Sequence, residues 1–352
     1  MQMNRRQVLG ATTAALGAGL GSGLLPRVAA AQASTATLAY GPGLPVYSLG
    51  AIADAKGFFK PEKLDLKLVV GNAGTHGRQA LAAGQALFAH GDASHPLQLS
   101  TRGKKSKIIM ASQMISSISN IVVRKDLYDA GITDVKALGN YKRPDGSKPI
   151  VAATAIGAGT WMYGTYVFEA NGLGDNIHWV AGGGPKTMYP GLETKQFDAI
   201  MAVPAWVLET EAQGFGKVIY DTSKPGVFES AFGGTVPVLV LYTLEETIQD
   251  QRPLVQSFVN AMYQAMKWVK ATPIDDVYAL VGEKHYSGID PVAVKTELGF
   301  DKNTWTYDGR IDKAAFERGG KVWYRKGSDI PETKFEDAVD MSFLDAAQAK
   351  YG

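Results

Sequence analysis

Residues 150–184 read IVAATAIGAGTWMYGTYVFEANGLGDNIHWVAGGG, and this stretch decides the fold class. Ile150-Val151-Ala152-Ala153 is an apolar run too short for a helix, so it predicts a buried strand. The glycine-rich turn at 155–160 leads into a helical pattern at 161–170, where Trp161 opens the segment. Residues 177–180 return to strand and are stopped at Gly182-Gly183-Gly184. A strand, a turn, a helix and a second strand in succession are the mark of α/β architecture with mainly parallel sheets.

The same pattern extends in both directions. Upstream, Thr37-Leu38-Ala39-Tyr40 predicts a strand ending at Gly41-Pro42-Gly43, followed by a helix over 47–55. Leu64, Leu66, Leu68 and Val70 alternate with Asp65 and Lys67, the two-residue period of a strand with one buried face. A helix at 77–83, a strand at 87–89, a helix at 96–101 and strands at 107–111 and 121–123 follow. Downstream, residues 199–203 predict a strand, Pro204-Ala205-Trp206 opens a helix, and 218–220 is a further strand. Residues 236–241, VPVLVL, are apolar enough for burial on both faces. Val255, Phe258, Val259, Met262, Met266 and Val269 recur at three- and four-residue steps, an amphipathic helix facing a core. Two runs of such units imply two lobes: one from residues 34–124 plus 236–352, the other from 125–235.

At 352 residues, with 45% hydrophobic and 20% charged positions, the chain has ordinary globular composition. Its first 33 residues predict an export signal: Asn4-Arg5-Arg6-Gln7-Val8-Leu9 is a twin-arginine pattern, a Gly/Ala/Leu stretch follows, and cleavage is expected after Ala33. Glycine and threonine dilute that stretch below what a membrane span needs. Without Arg5, Arg6 and Arg27 the remainder carries 33 basic against 34 acidic residues, so no electrostatic ground exists for a nucleic-acid partner. The sequence has no cysteine, which excludes disulfides, thiolate metal sites, a thiol nucleophile and a lipid-anchored cysteine.

Helix N-termini expose unpaired N–H groups and partial positive charge, and in α/β folds they face the carboxyl edge of the sheet. Five turns are placed this way: 45–48, 72–76 and 92–95 in the first lobe, and 157–161 and 203–206 in the second. They nominate Tyr47, Ser48, Asn72, Thr75, His76, Ser94, His95, Gly159, Thr160, Trp161, Pro204 and Trp206 as ligand-binding residues of an inter-lobe cleft. Tyr47, Trp161 and Trp206 offer rings as cleft walls, with core packing as the alternative. His76 and His95 offer hydrogen bonds to an anion. Ser94 has the alternative role of a plain helix cap. Residues 155–159 lack the Lys-Ser/Thr of a phosphate loop and the third glycine of a dinucleotide fingerprint. His76, His90 and His95 have no helical spacing or carboxylate partner that would make a metal site, so neither metal nor cofactor is expected.

Three stretches carry a family resemblance: 47–59 (YSLGAIADAKGFF), 80–88 (ALAAGQALF) and 191–206 (GLETKQFDAIMAVPAW). They resemble the periplasmic binding proteins of ABC importers for sulfonates, taurine and nitrate, a group that shares its fold with thiamine-pyrimidine synthases. Lys56-Gly57-Phe58-Phe59, residues 80–85 and Phe197-Asp198-Ala199 match the family pattern, while Lys195 stands where the family has glycine. The resemblance implies a two-lobe periplasmic-binding-protein fold of type II that closes over a small organic anion, sulfonate or carboxylate, without chemistry. It also implies a membrane permease as partner, a periplasmic location and a monomer. The turn Gly157-Ala158-Gly159-Thr160 also resembles binding subunits of tripartite ion-driven transporters. A pyrimidine synthase or small-acid dehydratase on the same fold is the enzymatic alternative, and the export signal and lack of cysteine speak against it.

Overall fold

The alternation at Leu64, Leu66 and Leu68 does build a one-faced strand. In the computed structural model, which describes residues 33–325 and 328–352, Leu64 and Leu66 are buried while Asp65 and Lys67 face solvent. The expected export segment lies outside the described residues, apart from Ala33. Among the described residues no helix is long and apolar enough to cross a membrane.

The described residues hold ten strands. They are β1 (Ser34–Tyr40), β2 (Leu64–Val70), β3 (Phe88–Asp92), β4 (Ser106–Gln113), β5 (Asn120–Arg124), β6 (Ile150–Ala153), β7 (His178–Ala181), β8 (Ala199–Ala202), β9 (Gly216–Tyr220) and β10 (Leu239–Leu244). They form two five-stranded sheets, β2-β1-β3-β10-β4 and β7-β6-β8-β5-β9. In each sheet the pairs among the first three strands are parallel, and one antiparallel strand (β10 or β5) separates the fifth from them. The fold is therefore α/β, with two mainly parallel sheets of the same strand order, each flanked by helices.

β5, β8 and β10 are buried along their whole length, which explains why their central residues are nearly continuous apolar runs rather than alternating ones. The 20-residue helix Arg252–Ala271 turns Val255, Phe258, Val259, Met262, Met266 and Val269 into the core, and Phe258 stacks on Phe88 of β3 with ring centroids 3.9 Å apart.

One boundary expected from sequence is corrected. The sequence pattern places residues 120–124 in the first lobe, yet β5 pairs with β8 and β9 in the second sheet. A fully buried run such as Ile121-Val122-Val123 fits either sheet, and nothing in its residues reports which neighbour it takes. The chain thus crosses between sheets before Asn120, through residues 114–119, and returns through 221–238.

These two crossings are tied together. Thr222 donates from its backbone nitrogen and from its hydroxyl to Asn120 Oδ1, at 2.7 and 2.8 Å. Asn120 Nδ2 donates in turn to the carbonyls of Ser117 and Ala202, both at 3.1 Å. Val236 and Val238 donate backbone hydrogen bonds to Met114 and Gln113.

Candidate functional site

Where β1 and β3 end in one sheet and β6 and β8 in the other, their following turns face each other. They enclose a cavity of about 20 Å³. That is room for about one water molecule, so a larger guest requires the sheets to part. Tyr47, Asp92 and His95 line it from the first sheet's side; Thr154, Thr160 and Trp206 line it from the second.

Asp92 is the last residue of β3 and is 2% exposed. Its Oδ1 accepts from Ser94 N at 2.9 Å and from Ser94 Oγ at 2.5 Å, while Oδ2 has no hydrogen-bond partner. Burial pushes the carboxyl up to about 6, against the opposing pull of the Ser94 bonds and of Arg78. The carboxylate reaches across to the opposite lobe: a Cβ placed on Gly159 would lie 2.6 Å from Asp92 Oδ2, so only glycine allows this approach. Gly159 is the first residue of the helix Gly159–Ala170.

The two rings and two histidines around this acid are shielded from solvent. His95 is fully buried with neither ring nitrogen bonded, and burial together with Arg78 holds it well below its ordinary pKa. His90 binds Ser112 Oγ through Nε2 at 2.7 Å and is pushed down to about 3 by burial. Tyr47 lies edge-on to His90 at 5.2 Å between centroids. Trp206 is 1% exposed, and its Nε1 lacks a partner. Thr154 and Thr160 pair through their hydroxyls at 2.8 Å.

A second acid lies behind the cavity. Glu297, in the helix Pro291–Thr304, is fully buried; its Oε1 accepts from Val46 N and its Oε2 from Ala205 N, both at 3.3 Å. One carboxyl group therefore joins the turn Pro45–Tyr47 of the first lobe to the helix Pro204–Ala212 of the second. Asp301, one turn further along, accepts from Gln113 Nε2 at 2.6 Å. Burial, and for Glu297 the neighbouring Asp301, pushes both carboxyls up.

Of the twelve residues nominated from sequence, Tyr47, His95, Gly159, Thr160 and Trp206 line the cavity. Ser48, Thr75 and Pro204 are buried just outside it, and Asn72 is exposed. His76 packs back on its own turn, where a Cβ at Gly71 would strike its ring. Trp161 faces away and carries the Arg325 guanidinium 5.0 Å from its ring centre. Ser94 is not the cap of its helix: Ala93 holds the cap position, and the Ser94 hydroxyl donates to Asp92.

The expectation of amides held free for an anion is corrected at three of the five turns. Ser94 N is taken by Asp92, and Val46 N and Ala205 N are taken by Glu297. Among the described residues no lysine or arginine lines the cavity. In the sequence Asp92 stands out only as part of the turn 92–95, and Glu297 is not among the nominated residues. The signal for Glu297 was a charge inside an apolar face, since Ala293, Val294 and Leu298 are its buried neighbours on one helix side.

Comparison with known proteins follows the same lines. The model of the NMT1-like family matches residues 29–280. No curated protein matches the chain. A structure from Bordetella bronchiseptica RB50 is similar at 24% identity and a TM-score of 0.77, covering 90% of this chain and 98% of that one. The alkanesulfonate-binding protein SsuA from Xanthomonas axonopodis pv. citri, bound to MOPS, is 15% identical with a TM-score of 0.68, over 89% and 100% of the two chains. The periplasmic nitrate-binding protein NrtA from Synechocystis PCC 6803 is 15% identical with a TM-score of 0.70, over 90% and 89%.

Proposed function

The chain belongs to the NMT1-like family, and from that premise we propose that it is the periplasmic substrate-binding component of an ABC importer. It captures a small organic molecule between its two lobes and presents the closed form to a membrane permease. The solved relatives of matching fold include proteins named for alkanesulfonate and nitrate binding. The observation that carries the reading is the cavity itself. It sits where the strand ends of both sheets meet, and it is walled by buried polar atoms of Asp92, His95 and Trp206 that lack partners inside the protein. Buried polar groups are normally satisfied, so unpaired ones converging on one cavity point to a ligand that completes them. Parting of the lobes about the two crossings supplies entry, and closure supplies affinity.

The experiment is calorimetric titration and thermal unfolding of the purified protein with a broad panel of small organic compounds. Binding with a Tm increase that grows with ligand concentration, and with the compound recovered unchanged, is the expected outcome. Steady conversion of a bound compound into product would overturn this reading in favour of an enzyme.

A further inference from the structure

The inter-lobe cavity is acidic, and this bears on what it can hold. Asp92 Oδ2 points into it with no hydrogen bond from the protein. Trp206 Nε1, an obligate donor, is likewise unpartnered. At three of the five turns a backbone amide that would help cradle an anion is engaged, Ser94 N by Asp92 and Val46 N and Ala205 N by Glu297. Arg78, the cation nearest Asp92, makes no hydrogen bond to it and does not line the cavity. A carboxylate or sulfonate closed in beside Asp92 would place like charges together in a low dielectric, where repulsion is strongest. A protonated nitrogen there satisfies Asp92 Oδ2 in a cavity also lined by the rings of Tyr47 and Trp206, and aromatic rings attract cations.

We propose that the ligand is an organic cation, an ammonium or amidinium compound, whose N–H group bonds Asp92 Oδ2 while an acceptor elsewhere on it takes the Trp206 Nε1 proton. This rests on the binding reading above and names the substrate class for that site. The groups within electrostatic reach of Asp92 are Arg78, the neutral His95 and the phenols of Tyr47, Tyr163 and Tyr242. None of those phenols ionises near neutral pH, so Asp92 is the group of the cavity wall whose charge changes between pH 5 and 7.5, with the Glu297–Asp301 pair, also pushed up by burial, lying behind it.

The test is a charge series on the intact protein at pH 7.5: benzamidine, benzamide, benzoate and benzenesulfonate, with a wider panel of organic ammonium ions, amides, carboxylates and sulfonates. Thermal shift and calorimetry are expected to find binding among the cations, and Asp92→Asn, which keeps an acceptor for Ser94, is expected to weaken the best of them at least ten-fold. Should Asp92→Asn not fold, the wild-type protein decides: cation affinity falls about ten-fold from pH 7.5 to pH 5 as Asp92 takes up a proton. A carboxylate or sulfonate that binds tightest, with Asp92→Asn equal or better, overturns the inference and leaves the binding function standing. No binding by any member of the panel overturns the binding function and the inference with it.

Discussion

Asp92, Glu297 and Asp301 are carboxyl groups kept from water, and each holds its proton to a higher pH than an exposed acid does. The folded state therefore binds protons that the unfolded chain has released, and stability falls as pH rises through the interval between the two pKa values. His90 and His95 act in the opposite sense. Their folded-state pKa values are depressed, so unfolding takes up protons below about 6.5 and stability falls as pH drops. Above pH 7.5 the histidines are silent and Asp92 is titrated, which leaves the Glu297–Asp301 pair. The unliganded protein should therefore lose stability between pH 7.5 and 8.5, by at most about 1.4 kcal/mol per pH unit for each group. Asp301→Asn, which preserves the acceptor for Gln113, should flatten that slope. A Tm that stays level or rises over this range in the wild type would refute the assignment. The pairing of these acids with distant amides is not legible in the sequence, where Asp92 stands only as part of the turn 92–95.

At the scale of elements, most of the pattern could be read. The strand at 64–70 and the helix at 252–271 follow from side-chain periodicity, because one buried face imposes it, and the strand at 150–153 follows from a short apolar run. Elements whose partners are distant could not be placed, and β5 is the clearest case. The turn at Lys195 shows a resemblance working at this scale. Gly84 closes the corresponding turn in the first lobe with φ at 69°, and Lys195 adopts φ of 65° where the family has glycine. The turn therefore survives the substitution at the cost of a left-handed lysine, offset slightly by an exposed ion pair of Lys195 with Asp126 at 2.8 Å. Lys195→Gly should stabilise the protein by about 1 kcal/mol in chemical denaturation. Loss of stability would mean that the ion pair outweighs the backbone strain.

At the scale of the whole molecule, the site exists only because two separate sheets bring their strand ends together. Sequence reading found five of its wall residues from the rule that helix starts face the carboxyl edge. It could not foresee that the protein's own acids occupy those helix starts, since Glu297 reaches Val46 across 251 positions of chain. The same long range governs assembly. β10 lies between β3 and β4, but its residues follow the whole second sheet in the chain. Forming the second sheet first shortens the effective loop, because Val238 then lies beside Gln113. In refolding followed by pulsed hydrogen exchange, the amides of residues 239–244 should gain protection together with or after those of β6 and β8. Protection of β10 ahead of them would exclude this order.

The late arrival of β10 also affects the protein while it is being made. Until residues 239–244 leave the ribosome, β3 and β4 each carry a bare edge of backbone donors and acceptors along buried, apolar strands. Such edges pair readily with any other extended chain. From the emergence of β4 to that of β10 the protein is consequently a half-built sheet in need of shelter, and a chaperone that shields those two edges should raise its yield.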